Sequence, residues 1–285
     1  MNKILLGFLF VTLFASCGGK RVTTVPFDLM TQMVDSVTRK RVKQDTSLLG
    51  MQEKPRPIEA DELFDDFIFI FASDKVLQKQ RIQFPLLYRH EGVVDTITKN
   101  VWEHINLFPN QNYYTILFDR EEDMDLVGDT SLHSVQVEWL LLKKRILKKY
   151  LFQKMEGMWI LNSIDFSLMK VEKEHDDFFS FYTRFVTDSV YQRQHISSPL
   201  KFVTIDPDDD FAVLETTLDI DQWYAFRPVM PVDSLSNFYY GQKNEALSNT
   251  KILKVNGIGN GYSNIFYFRK RRDGWELYKY EDTSI

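Results

Sequence analysis

A segment of 23 residues occurs twice in this chain, so whatever fold it adopts has to use the same local structure two times. Residues 64–86 read FDDFIFIFASDKVLQKQRIQFPL and residues 178–200 read FFSFYTRFVTDSVYQRQHISSPL. Ten of the 23 aligned positions are identical, among them Phe64/Phe178, Phe67/Phe181, Phe71/Phe185, Asp74/Asp188, Gln78/Gln192, Gln80/Gln194 and Pro85/Pro199. The copies lie 114 residues apart, beyond solenoid periods of roughly 20 to 50 residues, which makes the repeat domain-sized. Trp275 and Leu277 match Trp159 and Leu161 at an offset of 116, so insertions between the halves nearly balance. A chain of 285 residues then holds two units, each long enough to bury its own core.

Phe64, Phe67 and Phe71 stand at i, i+3 and i+7, which puts three rings on one side of a helix, and Phe178, Phe181 and Phe185 rebuild the stripe. Asp74 and Asp188 are placed to cap a second short helix in each half, and Pro85 and Pro199 end the helical region. In the first unit the pattern predicts extended chain at residues 86–90, a helix near residues 96–108 carrying Trp102, and a strand at 113–119. An acidic loop at 120–129 precedes strands at 135–142, 146–154 and 158–165, with Glu156-Gly157 as a hairpin turn. In the second unit a strand at 200–205 precedes a short helix at 221–226 holding Trp223. A strand entry at 238–242 follows, and strands at 251–255, 262–271 and 275–281 finish the chain, with turns at Asn260-Gly261 and Asp273-Gly274. The connecting residues 166–177 have several charges and neither Gly nor Pro, which predicts two packed domains, each closing its own bent sheet.

The net charge is −5 with 26% charged residues, and no basic surface of the kind that displaces counterions from phosphates is implied, which argues against nucleic acid as a partner. The single cysteine, Cys17, follows MNKILLGFLFVTLFAS, where Lys3 precedes an apolar run at residues 4–15 that is too short to span a membrane. This reads as a signal peptide over residues 1–17. Its end, Leu13-Phe14-Ala15-Ser16-Cys17, resembles a bacterial lipobox, with Phe14 where Leu is commonest. That resemblance implies lipidation of Cys17, cleavage before it, and attachment to the cell envelope at the outer membrane facing the periplasm. An ordinary cleaved signal peptide is the alternative. Residues 18–57 are polar and basic, with Pro55 and Pro57, and read as a tether; a helix at 26–42 or contact with anionic headgroups are other readings.

Helices followed by an antiparallel meander of long strands is an α+β pattern in which helices cover one face of a bent sheet. The chain here resembles the nuclear-transport-factor-2-like fold, a cone with helices across the concave side of its sheet. The lipobox, the paired stripe-to-proline segment and the stretch Asn237-Phe238-Tyr239-Tyr240-Gly241-Gln242 are similar to those of an uncharacterised family of bacterial lipoproteins with that fold. The expectation is two tandem nuclear-transport-factor-2-like domains, at residues 58–166 and 167–285. The first lacks the Tyr-Gly-Gln element, having Tyr113-Tyr114-Thr115-Ile116 in the comparable place.

The residue types offer little chemistry. No thiol remains for catalysis once Cys17 is acylated. His90, His104, His133, His175 and His195 have no metal-ligand spacing. Asp206, Asp208, Asp209 and Asp210 lack the alternation and terminal Glu of a calcium loop and read as a surface turn. Gly257, Gly259 and Gly261 lie between strands without a following helix, so they read as a hairpin and not as a phosphate cradle. No cofactor or metal is expected. The open end of each cone is the general site such a fold supplies. By the repeat, Gln192, His195, Trp223, Tyr240, Gly241 and Gln242 lie nearest that mouth in the second unit, with Gln78, Arg81 and Trp102 as the first unit's counterparts. The competing reading has the glutamines bonded to backbone at the helix break and the tryptophans in the core. The function expected is a membrane-anchored, non-catalytic binding module for a small molecule, glycan fragment or protein. An acid–base enzyme with an Asp or Glu in one pocket and a structural docking module are the alternatives. The pattern places no carboxylate inward.

Overall fold

The structure is a computed structural model that describes residues 63–109, 111–169, 178–243 and 248–285; the signal peptide, Cys17 and the tether lie outside them. Each half begins with a helix pair, α1 (Phe64–Ser73) and α2 (Lys75–Gln80), then α3 (Phe178–Thr187) and α4 (Ser189–Gln194). The breaks have the same cause. Asp74 accepts hydrogen bonds from the N–H groups of Val76 and Leu77 at 2.9 and 3.1 Å, and Asp188 accepts from Val190 and Tyr191 at 3.0 and 2.9 Å. Each carboxylate satisfies donors that a helix start leaves open, so a new helix begins in a new direction.

The predicted stripes are core. Phe64, Phe67 and Phe71 are 3%, 3% and 1% exposed, and Phe178, Phe181 and Phe185 are 3%, 6% and 0%. Both halves build the same aromatic contact: Phe64 meets Trp159 edge-on at 5.2 Å and Phe178 meets Trp275 at 5.3 Å. Phe152 in one half and Phe268 in the other close each cage against the helix.

The strands of the first half are β1 (Ile82–His90), β2 (Val93–Ile97), β3 (Tyr113–Phe118), β4 (Ser134–Leu141), β5 (Ile146–Met155) and β6 (Met158–Leu168). Those of the second are β7 (Ile196–Asp206), β8 (Asp209–Leu218), β9 (Ser234–Tyr239), β10 (Thr250–Gly257), β11 (Ser263–Arg271) and β12 (Gly274–Asp282), with helix α5 (Ile220–Phe226) between β8 and β9. The expectation that each half closes its own sheet is corrected. All twelve strands form one sheet in the order β2-β1-β6-β5-β4-β9-β3-β10-β11-β12-β7-β8. The halves have exchanged a strand. β9 pairs with β4 of the first half over six residues, and β3 pairs with β10 of the second half over six.

Where the exchanged strands meet, β3 and β9 run parallel with a single register pair, Thr115 to Asn237. Side chains supply what the ladder lacks. The Asn237 Oδ1 accepts from the Leu117 N–H at 2.8 Å, and its Nδ2 donates to Glu138 of β4 at 3.0 Å. The Gln242 Nε2 donates to the carbonyls of Leu117 and Phe238 at 3.1 Å each, while its Oε1 accepts from the Tyr240 N–H at 2.6 Å.

A parallel central pair relates the halves by a rotation about the strand direction, which turns one half's helices to the opposite face of the sheet. Alternating residues show this. On β3, Tyr114, Ile116 and Phe118 join the core under α1, whereas Tyr113 and Leu117 pack on the core under α3. On β11, Ile265 and Tyr267 join the first core and Phe266 and Phe268 the second.

Three further local expectations differ. Residues 96–108 form no helix: Thr96 and Ile97 end β2, and the Gln78 carboxamide binds both the N–H and the carbonyl of Ile105 at 2.9 Å, meeting the backbone's needs without a helix. The acidic residues at 120–129 coil into a 3-10 helix, Glu121–Gly128. Pro85 and Pro199 sit inside β1 and β7, beyond the ends of the helices.

Replacing Phe67 or Phe181 with Ala should destabilise the protein by about 3 to 5 kcal/mol, the range for a buried ring in a core that relaxes little. Urea unfolding measures it, and a loss below about 1 kcal/mol would remove these rings from the core account.

Candidate functional site

The side chains expected near the cone mouths fall into three groups. In the first, Gln78 is 0% exposed and its amide is satisfied on both ends. Its Nε2 donates to the carbonyls of Phe71 and Ile105 at 3.0 and 2.9 Å, and its Oε1 accepts from the Trp102 indole at 3.2 Å as well as from Ile105. Arg81 is buried beside it, 5.7 Å from the Phe67 ring. In the second group Gln192 repeats the device: it donates to the Phe185 carbonyl at 3.0 Å and accepts from the Trp223 indole at 3.4 Å and from the Arg227 guanidinium. His195 stacks on Tyr191 at 3.8 Å, with Nδ1 2.8 Å from the Tyr191 carbonyl oxygen. The glutamine, not the pocket, is what the repeat preserves. Each joins a helix break to a tryptophan and to backbone.

The third group lies at the seam. Gly241 has φ +93°, a conformation in which a Cβ is strained, and it turns the chain so that Gln242 reaches back to β3 and β9. Tyr240 points the other way, and its hydroxyl donates to the Asp65 carboxylate.

Asp65 is the carboxylate that sequence reasoning did not place inward. It sits in the first turn of α1, a favourable position for an anion on any helix, and that ordinary explanation hid it. The visible signal was a departure from the repeat, Asp65 matching Phe179 in the second copy. Its other oxygen accepts from the Tyr114 hydroxyl at 2.7 Å, and the Asn256 Nδ2 donates to that hydroxyl at 3.1 Å. The strand exchange assembles this group: Asp65 comes from a first-half helix, Tyr114 from β3, Tyr240 from the end of β9, and Asn256 and Lys254 from β10.

Burial holds the Asp65 carboxyl above the usual carboxylate range; the two tyrosine hydroxyls pull it down, the charge of Asp66 pushes it up, and Lys254 pulls it down. Burial likewise lowers the Lys254 ammonium, with Asp65 and Glu281 opposing. Both phenols are raised, Tyr240 well above the usual value, by burial first and by Asp65 next. The arrangement can hold or share a proton at the Asp65 carboxyl.

An open groove of about 440 Å³ lies elsewhere, over β12, β7 and β8, and Lys201, Val203, Glu215, Thr217 and Lys279 contribute to its lining. Leu200 and Phe202 pack on the second core, so Lys201 and Val203, alternating with them, belong to the helix-free face. No group of three metal-ligating side chains converges among the described residues.

With that geometry in view, a family described as Domain of unknown function (DUF4348) matches residues 43–282. Among solved structures, an NTF2-like protein of Bacteroides fragilis NCTC 9343 is 57% identical, with 81% of this chain and 100% of that one covered and a TM-score of 0.77. The nuclear-transport-factor-2-like α+β fold expected from the sequence is thereby shown. An NTF2-like protein of unknown function from Shewanella baltica OS155 matches at 15% identity over 36% of this chain and 84% of its own, with a TM-score of 0.22. No curated protein matches.

The Asp65 proton gives a pH prediction. Its affinity for the proton in the fold exceeds the ordinary value of 3.8, so this contribution to stability is complete below that pH and is lost as pH rises through the higher folded value. Asp65→Asn should therefore gain stability relative to the natural protein between about pH 4 and about pH 7. Urea unfolding at both pH values measures the difference, and a difference that does not move with pH would mean the carboxyl is unperturbed.

Proposed function

The chain belongs to the DUF4348 family, a domain of unknown function, and from that premise we propose that it is an envelope lipoprotein, anchored through Cys17 at the outer membrane facing the periplasm, that binds a small molecule, glycan fragment or protein partner without transforming it. The observation that carries the binding role is the groove over β12, β7 and β8. Its walls come from three adjacent hydrogen-bonded strands, of which β12 and β7 pack on the aromatic core. The polar groups at the helix breaks and the seam, by contrast, are engaged in internal hydrogen bonds. Ammonium, carboxylate and hydroxyl groups beside Val203 are groups that can orient a ligand.

The anchor rests on the lipobox-like tract. Acyl chains on Cys17 would hold the protein at a bilayer through buried methylenes, each worth about 0.8 kcal/mol. Cys17→Ala should move the protein from the membrane to the soluble fraction, and the mature amino terminus should carry the mass of its acyl chains. Retention of the variant in the membrane would remove the anchor from the proposal.

Asp65 supports a second reading, acid–base catalysis at the seam, because a carboxyl of raised proton affinity beside two phenols is a set of groups suited to moving a proton next to a carbonyl. Its test is exchange of C–H protons for deuterium in a panel of keto acids, followed by NMR. This reading expects exchange by the natural protein and none by Asp65→Asn; equal rates for both would discard it.

A further inference from the structure

We infer that the groove over β12, β7 and β8 takes a small polyhydroxylated ligand bearing an oxyanion, a carboxylate or a phosphate ester. The inference rests on the proposed binding role and gives it a chemistry. Lys279 of β12 and Lys201 of β7 are register partners on adjacent parallel strands, and both line the groove. Like charges side by side on neighbouring strands repel and weaken the sheet. The protein compensates one of them. Lys279 Nζ is 2.6 Å from Glu281 and 4.4 Å from the centroid of the Tyr267 ring; burial lowers its proton affinity, and Glu281 first, then Glu121 and Tyr278, more than offset that. Among the described residues no carboxylate lies within ion-pairing distance of exposed Lys201.

The repeat supplies an internal control. At the matching offsets, Lys201 corresponds to Leu87 of β1 and Lys279 to Ser163 of β6, and these two are register partners in the same way. One step along, Val203 and Glu281 correspond to Arg89 and Asp165, which form an ion pair at 2.8 Å. The same scaffold in the first half thus carries a neutral pair followed by a closed ion pair. The fold does not require two lysines there. The second half has moved its positive charge to the groove, where an oxyanion would lie between two ammoniums.

The surroundings set the rest of the ligand. Thr217 is in register with Lys201, and Glu215 with Val203, so a hydroxyl and a carboxylate edge the site on the β8 side. A bare ion would leave most of 440 Å³ unfilled and would face Glu215 as a like charge. A body with hydroxyl groups fills the space, donates to Glu215, and exchanges hydrogen bonds with Thr217.

The experiment is calorimetric titration of the full-length protein at low salt with glucuronate, glucose 6-phosphate and glucose. At least one charged sugar should bind tenfold or more tightly than glucose, and raising the salt should weaken it. Lys201→Leu and Lys279→Ser, which install the first-half residues, should each weaken that binding tenfold or more, while Arg89→Leu in the first half leaves it unchanged. Lys201→Gln, which keeps a polar side chain of similar reach, should lose as much as Lys201→Leu. Preference for glucuronate assigns a carboxylate, and preference for the phosphate assigns a phosphate ester. Equal binding of all three sugars would overturn the oxyanion and leave the binding module standing. No binding of any of them, or full binding by Lys201→Leu, would overturn the inference itself, and a wider panel of neutral glycans and peptides would then decide the binding role separately.

Discussion

The structure depends on a seam that is held by side-chain amides more than by a backbone ladder. β3 and β9 share a single register pair, yet they join the two halves of a twelve-stranded sheet. Asn237 bridges β9 to β3 on one side and to β4 on the other, and Gln242 ties the far end of β9 to the Leu117 carbonyl. These amides are buried, so each lost partner would leave a polar group without water, at about 1 to 3 kcal/mol. The stretch Asn237-Phe238-Tyr239-Tyr240-Gly241-Gln242 thereby acquires a physical meaning. Its polar members close the seam, Phe238 stacks on Tyr114 at 4.4 Å, and the glycine supplies the turn between them.

Exchange makes the cores interdependent. The core under α1 includes Phe238, Tyr240 and Ile252 from the second half, and the core under α3 includes Leu140 and Leu142 from the first. Opening either half would strip a strand from the other, which ties the loss of one hydrophobic cluster to the loss of the second. The same coupling builds the Asp65 group, whose members come from both halves and would not meet if each half kept its own strands.

What the sequence disclosed follows from the range of each signal. The phenylalanine stripes and the Asp74 and Asp188 caps are local, resting on helical spacing and on donors two and three residues away, and the structure reproduces them. Edge strands β2 and β8 were missed because their side chains are mostly exposed, which removes the alternation that marks a half-buried strand. The exchange of β3 and β9 was invisible for a different reason: a strand's pattern records that it is covered, not which neighbour covers it. Asp65 shows the same limit at a site, because a carboxylate in the first turn of a helix reads as a dipole partner until two tyrosines from distant strands are seen to converge on it. Gln78 and Gln192 were legible as conserved across the repeat and ambiguous in role, since an amide that caps backbone and an amide that lines a pocket look alike in one dimension.

A duplicated scaffold separates what folding needs from what it does not. Positions kept in both halves serve packing: the rings of the helix stripe, the capping aspartates, and the glutamines that bind tryptophan and backbone. Positions that differ are released from that duty, and two of the departures carry charge into places where the matching half is apolar. Asp65 stands where the other copy has Phe179, and Lys201 where the other has Leu87. Burial raises the free energy of the first charge, and the second lines the open groove beside Lys279. Neither residue improves the core, and each sits on an element that packs against it, Asp65 on α1 and Lys201 on β7. Chemistry in this molecule is therefore to be sought where the repeat is broken, since there a position carries a side chain that the matching copy shows the fold does not require.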